Sequence, residues 1–135
     1  MEPCFLLDTN ICIYLRQKKP EKLLRRFEEL RPGEAAISVI TYGELLYGAQ
    51  KSAQRTSALQ RLFELATLLP VLPLPETAAE TYGKLRSELE RNGKMIGNND
   101  LWIASHALAA NLILVTNNES EFKRVSGLKI QNWVA

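Results

Sequence analysis

Short apolar runs alternate with longer segments of helical periodicity along almost the whole chain. The predicted strands are Cys4–Leu7, Ala35–Val39, Val71–Leu74, Leu112–Thr116 and a weaker one at Lys129–Trp133. The predicted helices are Ile11–Arg16, Glu21–Leu30, Tyr42–Lys51, Thr56–Leu69, Glu76–Arg91, Leu101–Ala110 and Glu119–Val125. Strands separated by helices imply an α/β fold with a small parallel sheet covered by helices on both faces. No repeat or linker interrupts the 135 residues, so we expect one domain over residues 1–135.

Composition excludes several classes of protein. The net charge is only +2, so any attraction to nucleic acid must come from local patches. No apolar run is long enough to span a bilayer, and the start lacks the pattern of a signal peptide. Cys4 and Cys12 are too few for a disulfide framework, and both lie in apolar stretches. We therefore expect buried free thiols, a cytoplasmic protein and no membrane partner.

Asp8 stands between two apolar segments in FLLDTNICIYL, where the first predicted strand ends. Ligands of open parallel sheets bind at the carboxyl ends of strands, which makes Asp8 a candidate site residue. Capping of the following helix explains the same residue equally well, because Asp, Thr and Asn are all good N-caps.

Glu44 lies in the helix that follows the second predicted strand. At helical spacing it shares a mainly apolar stripe with Ile40, Tyr47 and Gly48. If that stripe packs on the protein, Glu44 points at the edge of the sheet. The plainer interpretation is a Glu at the margin of the stripe with its carboxylate in water.

Asp100 begins a helical face that is otherwise apolar, with Ile103, Ala104, Ala107 and Leu108 as the other members. An acid near a helix N-terminus is favoured by the helix dipole alone. Here Asn98 and Asn99 already offer caps, so capping alone does not explain an inward-facing acid at position 100.

A fourth acidic segment follows the strand LILVT. Glu119 and Glu121 both lie just beyond its carboxyl end, and first-turn acids of a short helix account for Glu119. Four segments that place carboxylates at one sheet edge indicate a shared cation, since clustered carboxylates otherwise raise one another's pKa. Oxygen ligands select Mg²⁺ or Mn²⁺, and the chemistry typical of such a site is metal-assisted displacement at phosphorus.

These segments together resemble the PIN-domain ribonucleases, and within them the VapC toxins of toxin–antitoxin (VapBC) pairs. The resemblance runs nearly end to end and rests on LLDTNICIYL, SVITYGELLYGA, IGNNDLWIASHAL and LVTNNESEFKRVSGL. It implies a three-layer α/β/α sandwich, a single PIN domain, and Mg²⁺- or Mn²⁺-dependent endonucleolytic cleavage of RNA.

The resemblance also implies the residues of the site. Asp8, Glu44 and Asp100 match the acidic positions of the family, as catalytic residues and metal ligands. Many relatives carry Asp in the turn after the fourth strand, where this chain has Asn117 and Asn118. Glu121 is the best match to the fourth acid, with Glu119 as the other choice. The supporting residues expected to orient the acids or a bound water are Asn10, Thr116 and Asn117.

The family further implies partners: an RNA such as tRNA or another structured RNA, a VapB-type antitoxin, and a second copy of the chain in a homodimer. DNA would be contacted only through the antitoxin. Arg91 and Lys94 lead into the Asp100 segment and are candidate RNA contacts.

Two other functions fit parts of the pattern. A haloacid-dehalogenase-type phosphatase also places an Asp after its first strand, but it requires a second Asp where this chain has Asn10. A non-catalytic α/β module could use the same acids to bind a structural ion or a basic partner.

Overall fold

The computed structural model describes residues 2–135 and contains five short strands and seven helices within them. The strands are β1 (Phe5–Leu7), β2 (Ala35–Ser38), β3 (Val71–Leu72), β4 (Ile113–Val115) and β5 (Ile130–Gln131). The helices are α1 (Thr9–Gln17), α2 (Glu21–Glu28), α3 (Val39–Gln50), α4 (Arg55–Leu68), α5 (Glu76–Arg91), α6 (Asn98–Ala109) and α7 (Glu119–Phe122).

All four strand pairings are parallel, and the strand order is β3-β2-β1-β4-β5. The chain winds outward from β1 through β2 and β3, then crosses back so that β4 pairs with the other side of β1. The strand order therefore reverses between β1 and β4, and a crevice opens there at the carboxyl edge of the sheet.

Apolar side chains on both faces of the sheet form two hydrophobic cores. Phe5, Leu7 and Val115 pack with α1, α2, α3 and α4 on one face. Leu6 and Leu114 pack with α5, α6 and α7 on the other. Alternate residues of one strand point to opposite faces, so a strand of three residues supplies both cores. The predicted α/β/α sandwich around a small parallel sheet is confirmed.

Two predicted helix starts were late by three residues. Helix α3 begins at Val39 rather than Tyr42, because the Ser38 hydroxyl accepts a hydrogen bond from the Ile40 N–H (3.1 Å) and ends the strand there. Helix α6 begins at Asn98 rather than Leu101, with Gly97 as its N-cap.

Burial of the two cysteines was predicted correctly for only one of them. Cys12 is buried in α1, whereas Cys4 is exposed before β1, and both are free thiols. None of the helices in residues 2–135 combines the length and apolar character that crossing a membrane requires.

Candidate active site

Three of the predicted acids meet at the carboxyl edge of the sheet. Asp8, Glu44 and Asp100 line one pocket of about 240 Å³. The other lining residues are Thr9, Asn10, Asn118 and Phe122. Asp8 directly follows β1, which borders the crevice between β1 and β4. Helices from opposite faces of the sheet bring the other two acids, Glu44 on α3 and Asp100 on α6.

Asp8 is buried and both of its carboxylate oxygens are hydrogen-bonded. Oδ1 accepts from the Ile11 N–H (3.0 Å), so Asp8 is the N-cap of α1. Oδ2 accepts from the hydroxyl of Thr116, which is itself fully buried. Burial raises the pKa of Asp8, while the bonds from Thr116 and Ile11 oppose that rise by stabilising the ionised form. Capping and a place in the pocket are therefore both properties of this one residue.

Glu44 reaches the pocket for a reason different from the predicted one. The buried side of α3 is formed by Thr41, Leu45 and Ala49, whereas Tyr47 of the predicted stripe is 66% exposed. Glu44 lies at the margin of that buried side. Its Oε1 accepts a hydrogen bond from the Thr9 hydroxyl (2.5 Å), which holds the carboxylate toward the start of α1.

Asp100 lies on the face of α6 that was predicted to be buried, above Ile103, Ala104 and Ala107, which are fully buried. The predicted capping role of Asn98 and Asn99 is wrong, because both lie inside the first turn of the helix. Asn99 instead donates to Glu44 Oε2 (3.4 Å), which links the acid-bearing helices α6 and α3.

Asp100 and Glu121 form a pair of carboxyl groups in direct contact. Burial first, and then the charge of Glu121 and a hydrogen bond with it, raise the pKa of Asp100 to about 7. Burial also raises the pKa of Glu121, but bonds from the Gly97 N–H, Asn118 and Asp100 outweigh it, so its pKa lies below the usual value. The pair holds one proton readily and two negative charges poorly.

Gly97 is the point on which the two carboxyl groups converge. Its N–H donates to Glu121 Oε1 (2.9 Å). A Cβ at this position would lie 3.3 Å from Asp100 Oδ2 and 3.7 Å from Glu121 Oε1. A residue without a side chain is therefore favoured at the start of α6.

Two other predicted residues of the turn after β4, Asn117 and Glu119, lie outside the pocket. Glu119 Oε2 accepts from the Asn132 amide (2.9 Å), and Asn117 bonds to that same amide (3.1 Å). Neither lines the pocket, so the structure does not bring Asn117 to the acids as predicted. Asn10 does line the pocket, and Thr116 contacts Asp8.

Three pocket residues were not predicted as site residues from the sequence: Phe122 and the polar residues Thr9, which bonds Glu44, and Asn118. Asn118 stands two residues after Thr116, and its backbone N–H donates to the Thr116 hydroxyl (2.9 Å). For Thr9 and Asn118 the available signal was a hydroxyl or amide residue within three positions after a strand end.

His106 is a buried packing residue of α6. Its Nδ1 is hydrogen-bonded to the Ser38 hydroxyl (2.9 Å), and burial lowers its pKa, which favours the neutral imidazole. Since Ser38 caps α3, this bond joins the N-terminus of one acid-bearing helix to the last turn of the other.

Arg91 and Lys94 are both exposed, and neither lines the acidic pocket. They stand at the end of α5 and in the segment that leads to Gly97. Their contact with RNA stays a prediction.

The donor set of the pocket fits a hard divalent cation with a partly retained water shell. No group of three or more His, Cys, Asp or Glu side chains within residues 2–135 is arranged to hold a metal ion by itself. Mg²⁺ needs no such cage, since it usually binds through one or two carboxylates and keeps several waters. A pocket of about 240 Å³ has room for an ion with waters, at roughly 30 Å³ per water. Asp8, Glu44 and Asp100 are the carboxyl residues that line the pocket and could hold such an ion. Glu121 does not line it and contacts Asp100 instead.

A small parallel sheet with acids from both helical layers at its crevice defines the class of protein. The family model described as the PIN domain matches residues 5–128, and the chain belongs to this family.

Within the family, the chain is similar to VapC proteins over nearly its whole length. It is 43% identical to Ribonuclease VapC2 of Rickettsia felis, over 96% of this chain and 97% of the relative. It is 42% identical to the tRNA(fMet)-specific endonuclease VapC of Shigella flexneri, with the same coverage. Its fold matches the crystal structure of DNA-bound VapBC from Salmonella typhimurium with a TM-score of 0.92 at 41% identity, covering 98% of this chain and 99% of the other.

Proposed function

We propose that this protein is the toxin of a toxin–antitoxin pair and an endoribonuclease that hydrolyses RNA phosphodiester bonds with Mg²⁺ or Mn²⁺. The observation that carries the proposal is the meeting of Asp8, Glu44 and Asp100 around one pocket at the strand-order reversal of the sheet. Similarity to proteins named ribonuclease and endonuclease supports the reaction class.

In this proposal Asp8, Glu44, Asp100 and Glu121 form the catalytic acidic set. A bound divalent ion would supply an activated water and neutralise charge on the phosphate. The chain's own task is to hold the carboxylates at fixed positions. Asp8 is held by hydrogen bonds from Thr116 and the Ile11 N–H. Glu44 is held by a bond from Thr9, and Glu121 by a bond from the Gly97 N–H.

We propose a tRNA as the substrate class, since the Shigella relative is named for one. The proposed protein partner is a VapB-type antitoxin, which the VapBC complexes among the solved relatives support. DNA would then be contacted through that partner. A homodimer stays a prediction, which light scattering of the purified chain would check.

We also propose that residues 1–135 form a single PIN domain. The family match covers 5–128, and β5 beyond it pairs with β4 of the same sheet. Its place of action is proposed to be the cytoplasm, in keeping with two free cysteines and an RNA substrate.

The direct test is cleavage of a tRNA panel by the purified protein with Mg²⁺, with Mn²⁺ and with a chelator. Wild type should cut with either metal, and the chelator should stop it. Asp8→Asn and Asp100→Asn should each lower the rate at least about a thousandfold, because each removes a negatively charged oxygen ligand. Glu119→Gln is the matched acidic control, since Glu119 bonds Asn132 outside the pocket.

A wild-type protein that leaves every RNA intact under both metals would instead favour the non-catalytic module. Regulated expression in bacteria of wild type beside Asp8→Asn, followed by sequencing of RNA ends, would test toxicity and substrate in one experiment. Equal toxicity of the two chains would contradict the catalytic proposal.

A further inference from the structure

Asn118 connects the two halves of the acidic site by hydrogen bonds. Its backbone N–H donates to the hydroxyl of Thr116 (2.9 Å), and that hydroxyl donates to Asp8 Oδ2. Its side-chain amide donates to Glu121 Oε2. One residue of the turn after β4 is thus bonded toward Asp8 through its backbone and toward Glu121 through its side chain.

The bond from Asn118 completes the restraint on the Glu121 carboxylate. Glu121 Oε1 already accepts the N–H of Gly97, the N-cap of α6, and Asp100 lies three residues further along. A carboxylate held through both oxygens has a fixed plane. Without the Asn118 amide, Glu121 would keep only its bonds to the Gly97 N–H and to the Asp100 carboxyl, and the donor to Oε2 that fixes its plane would be gone.

The amide group is required for this role, because a carboxylate at position 118 could not donate to Glu121. The substitution Asn118→Asp would instead place a further carboxylate against the Asp100–Glu121 pair, where negative charge is already unfavourable. Asn118 also lines the pocket itself, together with Asp8 and Asp100.

We propose that Asn118 is a positioning residue of the acidic site, whose amide fixes Glu121 beside Asp100 and whose backbone ties that carboxylate to the Thr116–Asp8 pair. The inference rests on the proposed function, in which these acids act on RNA. Asn118 acts through Glu121 and needs no contact with the reacting atoms.

Asn117 provides a matched control in the neighbouring position. It is exposed, and its side chain accepts a hydrogen bond from Asn132; neither residue lines the pocket. Asn117→Ala and Asn118→Ala remove the same atoms from consecutive residues of one turn, but only the second releases Glu121.

The kinetic test compares tRNA cleavage by wild type, Asn117→Ala, Asn118→Ala and Asn118→Asp. Loss of a group that orients a metal-site carboxylate typically costs 10–100-fold, so Asn118→Ala should lower kcat by about that factor, with KM within roughly twofold. The kcat of Asn118→Asp should fall at least as far, whereas the kcat of Asn117→Ala should equal that of wild type. In a Glu121→Ala background, Asn118→Ala should have no further effect, because the partner is already gone.

A second measurement needs neither metal nor RNA. Amide hydrogen exchange in the metal-free protein should be about fivefold faster at Gly97 in Asn118→Ala, since a released Glu121 protects that N–H less well. Asn117→Ala should leave the rate unchanged. Equal exchange in the two variants would overturn the inference whatever the activity, and so would a fully active Asn118→Asp. A wild type that cuts no RNA, with exchange altered as expected, would overturn the proposed function and leave the restraint on Glu121 standing.

Discussion

The two sides of the acidic site, Asp8 with Glu44 and Asp100 with Glu121, hold their carboxylates in different ways. On one side, Asp8 accepts from a backbone N–H and from the Thr116 hydroxyl, and Glu44 accepts from the Thr9 hydroxyl. On the other side, Asp100 and Glu121 contact each other, and the pKa of Asp100 rises to about 7. Burial raises the pKa of Asp8 as well, but hydrogen-bond donors to both of its oxygens oppose that rise, whereas the Asp100 side must share a proton or meet a cation.

This difference predicts that Asp8 and Asp100 have opposite effects on the stability of the fold. Asp8 is part of the local structure, because it caps α1 and partners a buried hydroxyl. Asp100 caps no helix, since the N-cap of α6 is Gly97. Its charge is costly in the metal-free protein and is useful only when a ligand compensates it. We expect Asp8 to contribute to stability and Asp100 to oppose it.

The largest stability effect is expected for Asp8→Ala. The substitution removes the N-cap, which costs about 0.5–2 kcal/mol, and leaves the buried Thr116 hydroxyl without its acceptor, for about 1–3 kcal/mol more. The free energy of unfolding, measured in urea without metal, should fall by about 2–4 kcal/mol. Asp8→Asn is the control, because Asn also caps helices and should retain most of the stability while abolishing cleavage. Equal losses for Asp8→Ala and Asp100→Ala would remove the distinction between the two sides.

The next effect is stabilisation by metal. A ligand that binds only the folded state at a hundredfold excess over its Kd adds about 2.7 kcal/mol to the free energy of unfolding. Mn²⁺ should therefore raise the melting temperature of wild type, and Asp100→Asn should lose most of that gain. Asn117→Ala should keep it. A metal-dependent shift that survives in both Asp8→Asn and Asp100→Asn would mean that the ion binds elsewhere.

Sequence alone predicted the fold class and the acids for clear physical reasons. Asp8 and Asp100 each interrupt an apolar pattern, and a charge in such a pattern needs an explanation. The α/β alternation indicated which strand ends would lie at one edge. Glu44 was predicted from an incorrect stripe, because Tyr47 looks apolar in a helical pattern but lies in solvent.

The hydrogen bonds between distant segments could not be predicted from the sequence. Asn117 and Asn118 are identical residues in one turn, and only the backbone decides that the first turns to Asn132 and the second to Glu121. Glu119 and Glu121 are likewise the same residue type in one short helix, but the first bonds Asn132 and the second bonds Gly97. The N-cap of α6 was missed because Gly97 has no side chain that could make a capping bond, and its N–H is bonded to Glu121, which is 24 positions away.

A smaller effect is expected in the pH dependence of the metal-free protein. The pKa of Asp100 rises from 3.8 to about 7 on folding, so between these values the folded state binds more protons than the unfolded state. The contribution of Asp100 to the free energy of unfolding therefore falls as pH rises through that window. Asp100→Asn should melt higher than wild type at pH 8, with the difference disappearing toward pH 4. The gain should be smaller than the Asp8→Ala loss, because Asp100 is half-exposed and water screens its charge. A variant that melts lower than wild type at pH 8 would show that the Asp100 charge is already compensated without metal.

The smallest effect on stability and cleavage should come from Glu119→Gln, and this substitution tests which glutamate is the fourth acid. Glu119 lies two residues from Glu121 and matches the same acidic segment, but its carboxylate accepts from Asn132, outside the pocket. Glutamine can accept that bond equally well, so the free energy of unfolding should change by less than about 0.5 kcal/mol. Cleavage and the metal-dependent melting shift should both stay at the wild-type level, whereas Glu121→Gln should lower both. If Glu119→Gln lost cleavage and Glu121→Gln kept it, the fourth acid would be Glu119. The Asp100 side would then have to rearrange when metal binds, because the bond to Asn132 must break before Glu119 can turn toward the pocket.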